Sequence, residues 1–84
     1  MFKFLLMPYD DIYAVHNATN LFFKLSNLNI DTTIDTNIFA EFNQRMKDYD
    51  YKNYHTIIVS KDSYYYMNES NKMISMDEIM NLFV

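Results

Sequence analysis

The chain has no glycine, no cysteine and a single proline in 84 residues. Without glycine, backbone positions with positive φ fall to asparagine or aspartate, which reach the left-handed region at least cost. Asn29, Asn53, Asn68 and Asn71 are the candidates. The same absence removes glycine-rich phosphate loops. The other route to a phosphate is a helix N-terminus free of acid, and every helix start foreseen below carries aspartate. Nucleotide-dependent catalysis is therefore not expected. Without cysteine, neither disulfides nor thiolate metal sites can form, which suits a reducing compartment.

Basic residues are also few. Seven Lys and Arg face eleven Asp and Glu, for a formal net charge of −4. They are scattered along the chain, so the footprint of a nucleic-acid surface is missing. The apolar run Met1–Met7 stops at Pro8. It is too short for a secretory leader or a membrane span, and the expected location is the cytoplasm (the host cytoplasm if the chain is phage-encoded). His16 and His55 fall in different elements, without metal-site spacing. Ser60, Ser63, Ser70 and Ser75 belong to turns or a cap, with no nucleophile elbow around them. The acid pairs Asp10–Asp11 and Asp77–Glu78 sit where the first turn of a helix favours negative charge. No metal, cofactor or catalytic set is expected, and the chain reads as a non-enzyme.

What is abundant is apolar and aromatic surface: 50% of residues are hydrophobic and 18% aromatic. A domain this short buries only a little over ~60% of the surface its unfolded chain exposes. Some Tyr and Phe should therefore be exposed, or covered by a partner or a second copy. The stretch Tyr54–Met67 reads as a β-hairpin, two runs of β-branched and aromatic residues around Lys61-Asp62-Ser63. Phe2–Met7 has apolar residues on both sides, as an interior strand does. Asp10 or Asp11 should cap a helix to about Leu28, with Ala14, Ala18, Leu21, Leu25 and Leu28 on its buried stripe. Its flank of Ile12, His16, Thr19 and Phe23 is expected to pack on the next helix, with an exposed contact stripe as the alternative. Asn29–Ile34 reads as a connector. A second helix is expected from the cap Asp35 to about Tyr49, burying Ile38, Phe39, Phe42, Met46 and Tyr49, with Ile34 and Phe39 as a hydrophobic staple. Lys72–Ile74 reads as a short strand. Ser75 and Glu78 form a capping-box pattern for a last helix to Phe83.

The order β-α-α-β-β-β-α over residues 1–84 predicts one α+β domain. Two consecutive helices would return the chain to the end it left, so the next strand should run antiparallel to the first. The expected architecture is a small, mostly antiparallel sheet of three or four strands with helices packed on one face.

For function, acid mixed with tyrosine points to a surface around Asp48, Asp50, Tyr51, Asp62, Tyr65 and Glu69. Charge would steer a basic partner and aromatic area would hold it. The expected partner is a basic, nucleic-acid-binding host protein. In size, acidity and lack of a catalytic set the chain resembles the small inhibitors carried by phages and other mobile elements, anti-CRISPR proteins among them. The alternatives are a single-stranded nucleic-acid binder stacking bases on Tyr64, Tyr65 and Tyr66, and a homodimeric accessory module. Direct nucleic-acid binding is the weaker reading, because Asp62 and Glu69 flank that run.

Overall fold

β1 (Lys3–Pro8) buries Phe4, Leu5, Leu6, Met7 and Pro8, so both of its faces are covered. The computed structural model describes residues 3–9 and 11–82; Phe2, Asp10 and Phe83 lie outside them. After β1 come α1 (Ile12–Asn27), β2 (Thr32–Ile34), α2 (Phe42–Lys47) and a 3₁₀ turn, Tyr51–Asn53. The hairpin β3 (Tyr54–Val59) and β4 (Tyr64–Tyr66) follows, then a 3₁₀ turn, Met67–Glu69, β5 (Lys72–Ile74) and α3 (Met76–Asn81). No helix among the described residues is long and apolar enough to cross a membrane.

The sheet differs from the expected one. Among the described residues it has five strands, in the order β2-β1-β3-β4-β5. It is mixed: β1 pairs parallel with both β2 and β3, whereas β3–β4 and β4–β5 are antiparallel. The supposed connector holds β2, so α1 is a complete crossover between parallel neighbours. The segment 35–53 is a second crossover, from β2 past β1 to β3. These two connections travel in opposite directions along the sheet. Since such crossovers are almost always right-handed, they must lie on opposite faces.

That geometry corrects the expectation of helices on one face. α1 buries Ala14, Ala18, Leu21 and Leu25. Ala18, Leu21 and Leu25 join one core cluster with Phe4 and Leu6 of β1 and Ile57 and Val59 of β3. Tyr66, Ile74 and Ile79 extend the cluster, so α3 sits on the same face. Leu5 and Met7 alternate to the opposite face and are still fully buried. There the roof is the 35–53 segment, with Phe42 of α2 beside Ile58 and Tyr65.

The second helix is much shorter than its periodic pattern suggests. It begins after Glu41, which makes no side-chain cap. Asp35 caps a turn instead: its Oδ1 accepts from the Asn37 amide at 2.9 Å. Its other oxygen faces the Nε of Arg45 at 3.3 Å in a buried ion pair. Phe39 falls in the turn before α2 and is 93% exposed, so the staple with Ile34 does not form. With α2 on the far side of the sheet, no helix among the described residues packs on the α1 flank, and Ile12 and Phe23 are exposed.

Positive φ occurs at Asn29 (60°), Ser70 (57°) and Asn71 (59°). Asn53 and Asn68 do not take it. The Asn68 side chain instead bridges the backbone beside β3, where it accepts from the Thr56 amide at 3.0 Å and donates to the Tyr54 carbonyl at 2.7 Å. The capping box forms as expected. Ser75 Oγ accepts from the Glu78 amide and Glu78 Oε1 accepts from the Ser75 amide, both at 3.1 Å. Ser75→Ala should therefore lower stability by about 1 kcal/mol. A urea titration showing a loss below about 0.3 kcal/mol would mean that the cap carries no weight.

Candidate protein-binding surface

The face of the sheet under α2 is only half covered. Strand alternation sends Ile58, Tyr65 and Met73 to this face, and the register sets them side by side: Ile58 opposite Tyr65, and Tyr65 opposite Met73. α2 reaches only the first part of it. Tyr9, Phe42, Ile58, Ser60, Tyr65 and Asn71 line an open groove of about 440 Å³. Next to it, Tyr9, Phe39, Glu41 and Phe42 line a depression of about 380 Å³. Tyr9 is 55% exposed and Met73 60%. Part of the exposed aromatic area, Tyr9 and Phe39, thus gathers here, and Tyr13 and Phe23 are exposed on α1.

The six residues expected to form an acidic, tyrosine-bearing surface are spread more widely. Tyr65 lies in the floor of the groove. Tyr51 lies before β3, where its carbonyl accepts from the Thr56 hydroxyl at 2.9 Å. Asp50 accepts from the Asn53 side-chain amide. Asp48 borders a polar depression with Asp35, Gln44, Lys47 and Tyr49. Asp62 and Glu69 are in the segments before and after β4, at its opposite ends. Glu69 stands 4.0 Å from Lys72. The residues that the reading of the sequence missed are Tyr9, Phe39, Phe42 and Met73. Only the parity of Ile58, Tyr65 and Met73 across the hairpin could have pointed there.

The tyrosine run is divided between faces. Tyr66 is buried in the helix-side core and Tyr64 packs against it. Tyr65 alone reaches the open side. Burial pushes the Tyr64 and Tyr66 phenols above their ordinary value, with the Glu69 carboxylate adding to the effect at Tyr66.

His55 sits at the sheet margin, with Nδ1 2.7 Å from the Tyr66 hydroxyl and its ring 5.0 Å from that of Phe4. Burial pulls its imidazole below the ordinary value. The unfolded chain therefore takes up a proton near pH ~6.5 that the folded chain resists. This contribution to stability is present above that pH and fades as pH falls. The urea midpoint should drop between about pH 7.5 and 5.5, and drop less in His55→Gln. Equal drops in the two proteins would remove His55 as the cause.

Among the described residues, no group of three or more His, Asp or Glu could hold a metal ion. The chain matches no protein-family model, no curated protein and no solved structure.

Proposed function

We propose that this is a small acidic interaction protein, not an enzyme, that binds another protein through the open half of its sheet. One observation carries the reading. A groove of about 440 Å³, floored by Ile58 and Tyr65 and walled by Tyr9 and Phe42, stays open beside a β1 strand that is buried on both faces. Apolar area of this kind, rimmed by polar residues, is typical of partner-binding sites. Net charge −4 favours a basic partner, and a host protein that normally holds nucleic acid fits that description. Inhibition of such a protein, as phage-carried inhibitors achieve it, is the physiological role this reading suggests.

The test is capture of a basic protein from host lysate by the immobilised chain, followed by binding kinetics. Tyr65→Ala and Met73→Asn should each raise the dissociation rate, by about 30-fold if Tyr65 is a hot spot worth ~2 kcal/mol. Met73 is exposed, so its replacement leaves the core intact. Reversing Asp48 and Asp50 to Lys should instead slow association at low salt. Rates unchanged by the Tyr65 and Met73 variants would refute this surface.

A further inference from the structure

The two faces of the sheet are not equally roofed. One carries α1 and α3, whereas the other carries the 35–53 segment, whose α2 has six residues. The uncovered part spans β3, β4 and β5. Two inter-strand spacings of ~4.8 Å make it about 10 Å across. That is the width of one α-helix with its side chains, about 10–12 Å. The floor is apolar and in register: Ile58, Tyr65 and Met73. Phe42 and Tyr9 line the same groove from α2 and from the end of β1.

The charges around the groove are one-sided. Lys61 stands 5.6 Å over the ring of Tyr13, on α1. Lys72 lies 3.9 Å from Glu78 and 4.0 Å from Glu69. Its neighbour Ile74, two residues on and so on the same face, belongs to the helix-side core. Arg45 is 3% exposed and committed to Asp35 and the Pro8 carbonyl. Among the described residues, Arg45 is the one cation lining the groove or the adjoining depression, and Asp35 holds it. Glu41, exposed beside Tyr9 and Phe42, makes no ion pair among the described residues. An apolar floor with acid at its edge is complementary to an apolar stripe flanked by base.

We propose that the open half of the sheet is a groove for one amphipathic α-helix of a partner protein, with lysine or arginine beside its apolar stripe. This rests on the reading that the protein binds through this face, and it specifies the shape and charge of what binds. An extended segment would add to the β5 or β2 edge by main-chain bonds and would need no apolar floor. A second copy is the poorer fit. Obligate homodimer interfaces run to about 2,000–5,000 Å² in total, and three floor side chains and two walls form a small patch beside that. Two chains of charge −4 also repel.

Three designed peptides of about 18 residues test this, a length that holds a helix in a suitable sequence. Two share a leucine stripe, flanked by lysines in one and by glutamates in the other. The third is the lysine peptide with a central proline that breaks the helix. Binding is read by fluorescence anisotropy, and the contact surface by amide chemical-shift changes. The lysine-flanked helix should bind at least ~10-fold tighter than either other peptide at low salt. Its shifts should centre on Phe42, Ile58, Tyr65 and Met73, and Met73→Asn should weaken it at least ~10-fold. Equal binding of the glutamate or proline peptide, shifts centred on Ile12 and Phe23, or no binding of any peptide would overturn the proposal. So would a doubled mass in light scattering that Met73→Asn abolishes. If partner capture depends on Met73 while the peptides fail, the helix proposal falls and the binding surface stands. If capture ignores Met73, both fall.

Discussion

Arg45→Ala should cost about 3–5 kcal/mol, read as a large fall in the urea midpoint. At about 0.05–0.15 kcal/mol per residue, an 84-residue domain has only about 4–13 kcal/mol of stability in total. The substitution therefore brings the protein close to unfolding. The reason lies in what the guanidinium holds. Its Nη1 donates to the Pro8 carbonyl at 2.8 Å, at the end of β1. Its Nη2 and Nε donate to the Asp35 carbonyl and carboxylate, both at 3.3 Å, just past β2. Alanine would leave a buried carboxylate without a counter-charge and two carbonyls without these donors. The attachment is also mechanical. A six-residue helix is not stable in isolation, so α2 depends on its anchors to roof the sheet. Amide exchange over residues 35–53 should accelerate before exchange in β1 and β3 does. Arg45→Lys keeps the charge but not the fork, and should fall between. A sharper test is a reversal of sign. Asp35→Asn added to Arg45→Met should be less damaging than Arg45→Met alone, since no lone charge is then buried. A double variant less stable than the single one would show that the ion pair is not what holds this segment.

The same pair explains why this part of the fold was hard to read. Ile38, Phe39, Phe42, Met46 and Tyr49 recur at helical spacing, and Asp35 is a good cap. Yet the carboxylate turns to the Asn37 amide and to Arg45, so the chain loops until Phe42. Asp and Arg read as surface residues, and nothing local shows that they will be buried together. β2 escaped for a different reason. Thr32-Thr33-Ile34 is too short to display an alternation, and its partners on β1 lie about 28 residues away. Missing it changed the direction of β3 and the face on which the helices sit. By contrast, α1 has 16 residues of period, and the box at Ser75 and Glu78 works within three residues. The hairpin was legible because β-branched and aromatic runs flank a polar break. At the candidate surface, the presence of spare aromatic area was legible from composition, and Tyr65 from strand alternation. Tyr9, Phe39 and Met73 were not, because which face stays open depends on how the two crossovers are wound.

Leu25→Ala should cost about 2–5 kcal/mol, whereas Phe39→Ala should stay within about 0.5 kcal/mol of the parent protein. Both residues stand on apolar stripes in the sequence, and pattern alone ranks them together. Their surroundings separate them. Leu25 is fully buried among Phe4, Leu6, Leu21 and Ile57, and its carbonyl accepts from the amides of Leu28 and Ile30 where α1 ends. Truncation there leaves a cavity between α1 and the central strands, which are held in place by pairing on both sides and cannot close the gap. Phe39 is 93% exposed in the turn before α2, so alanine removes no core contact. Its ring lines the depression next to the open groove, beside Tyr9, Glu41 and Phe42. Phe39→Ala should therefore be silent in urea titration and visible in partner binding, as a faster dissociation rate. Leu25→Ala should show the opposite pattern: a large fall in midpoint, with binding preserved in whatever fraction stays folded. If Phe39→Ala destabilised the chain as much as Leu25→Ala, the segment 35–41 would have to pack as a continuous helix, and the open groove would lose one of its borders.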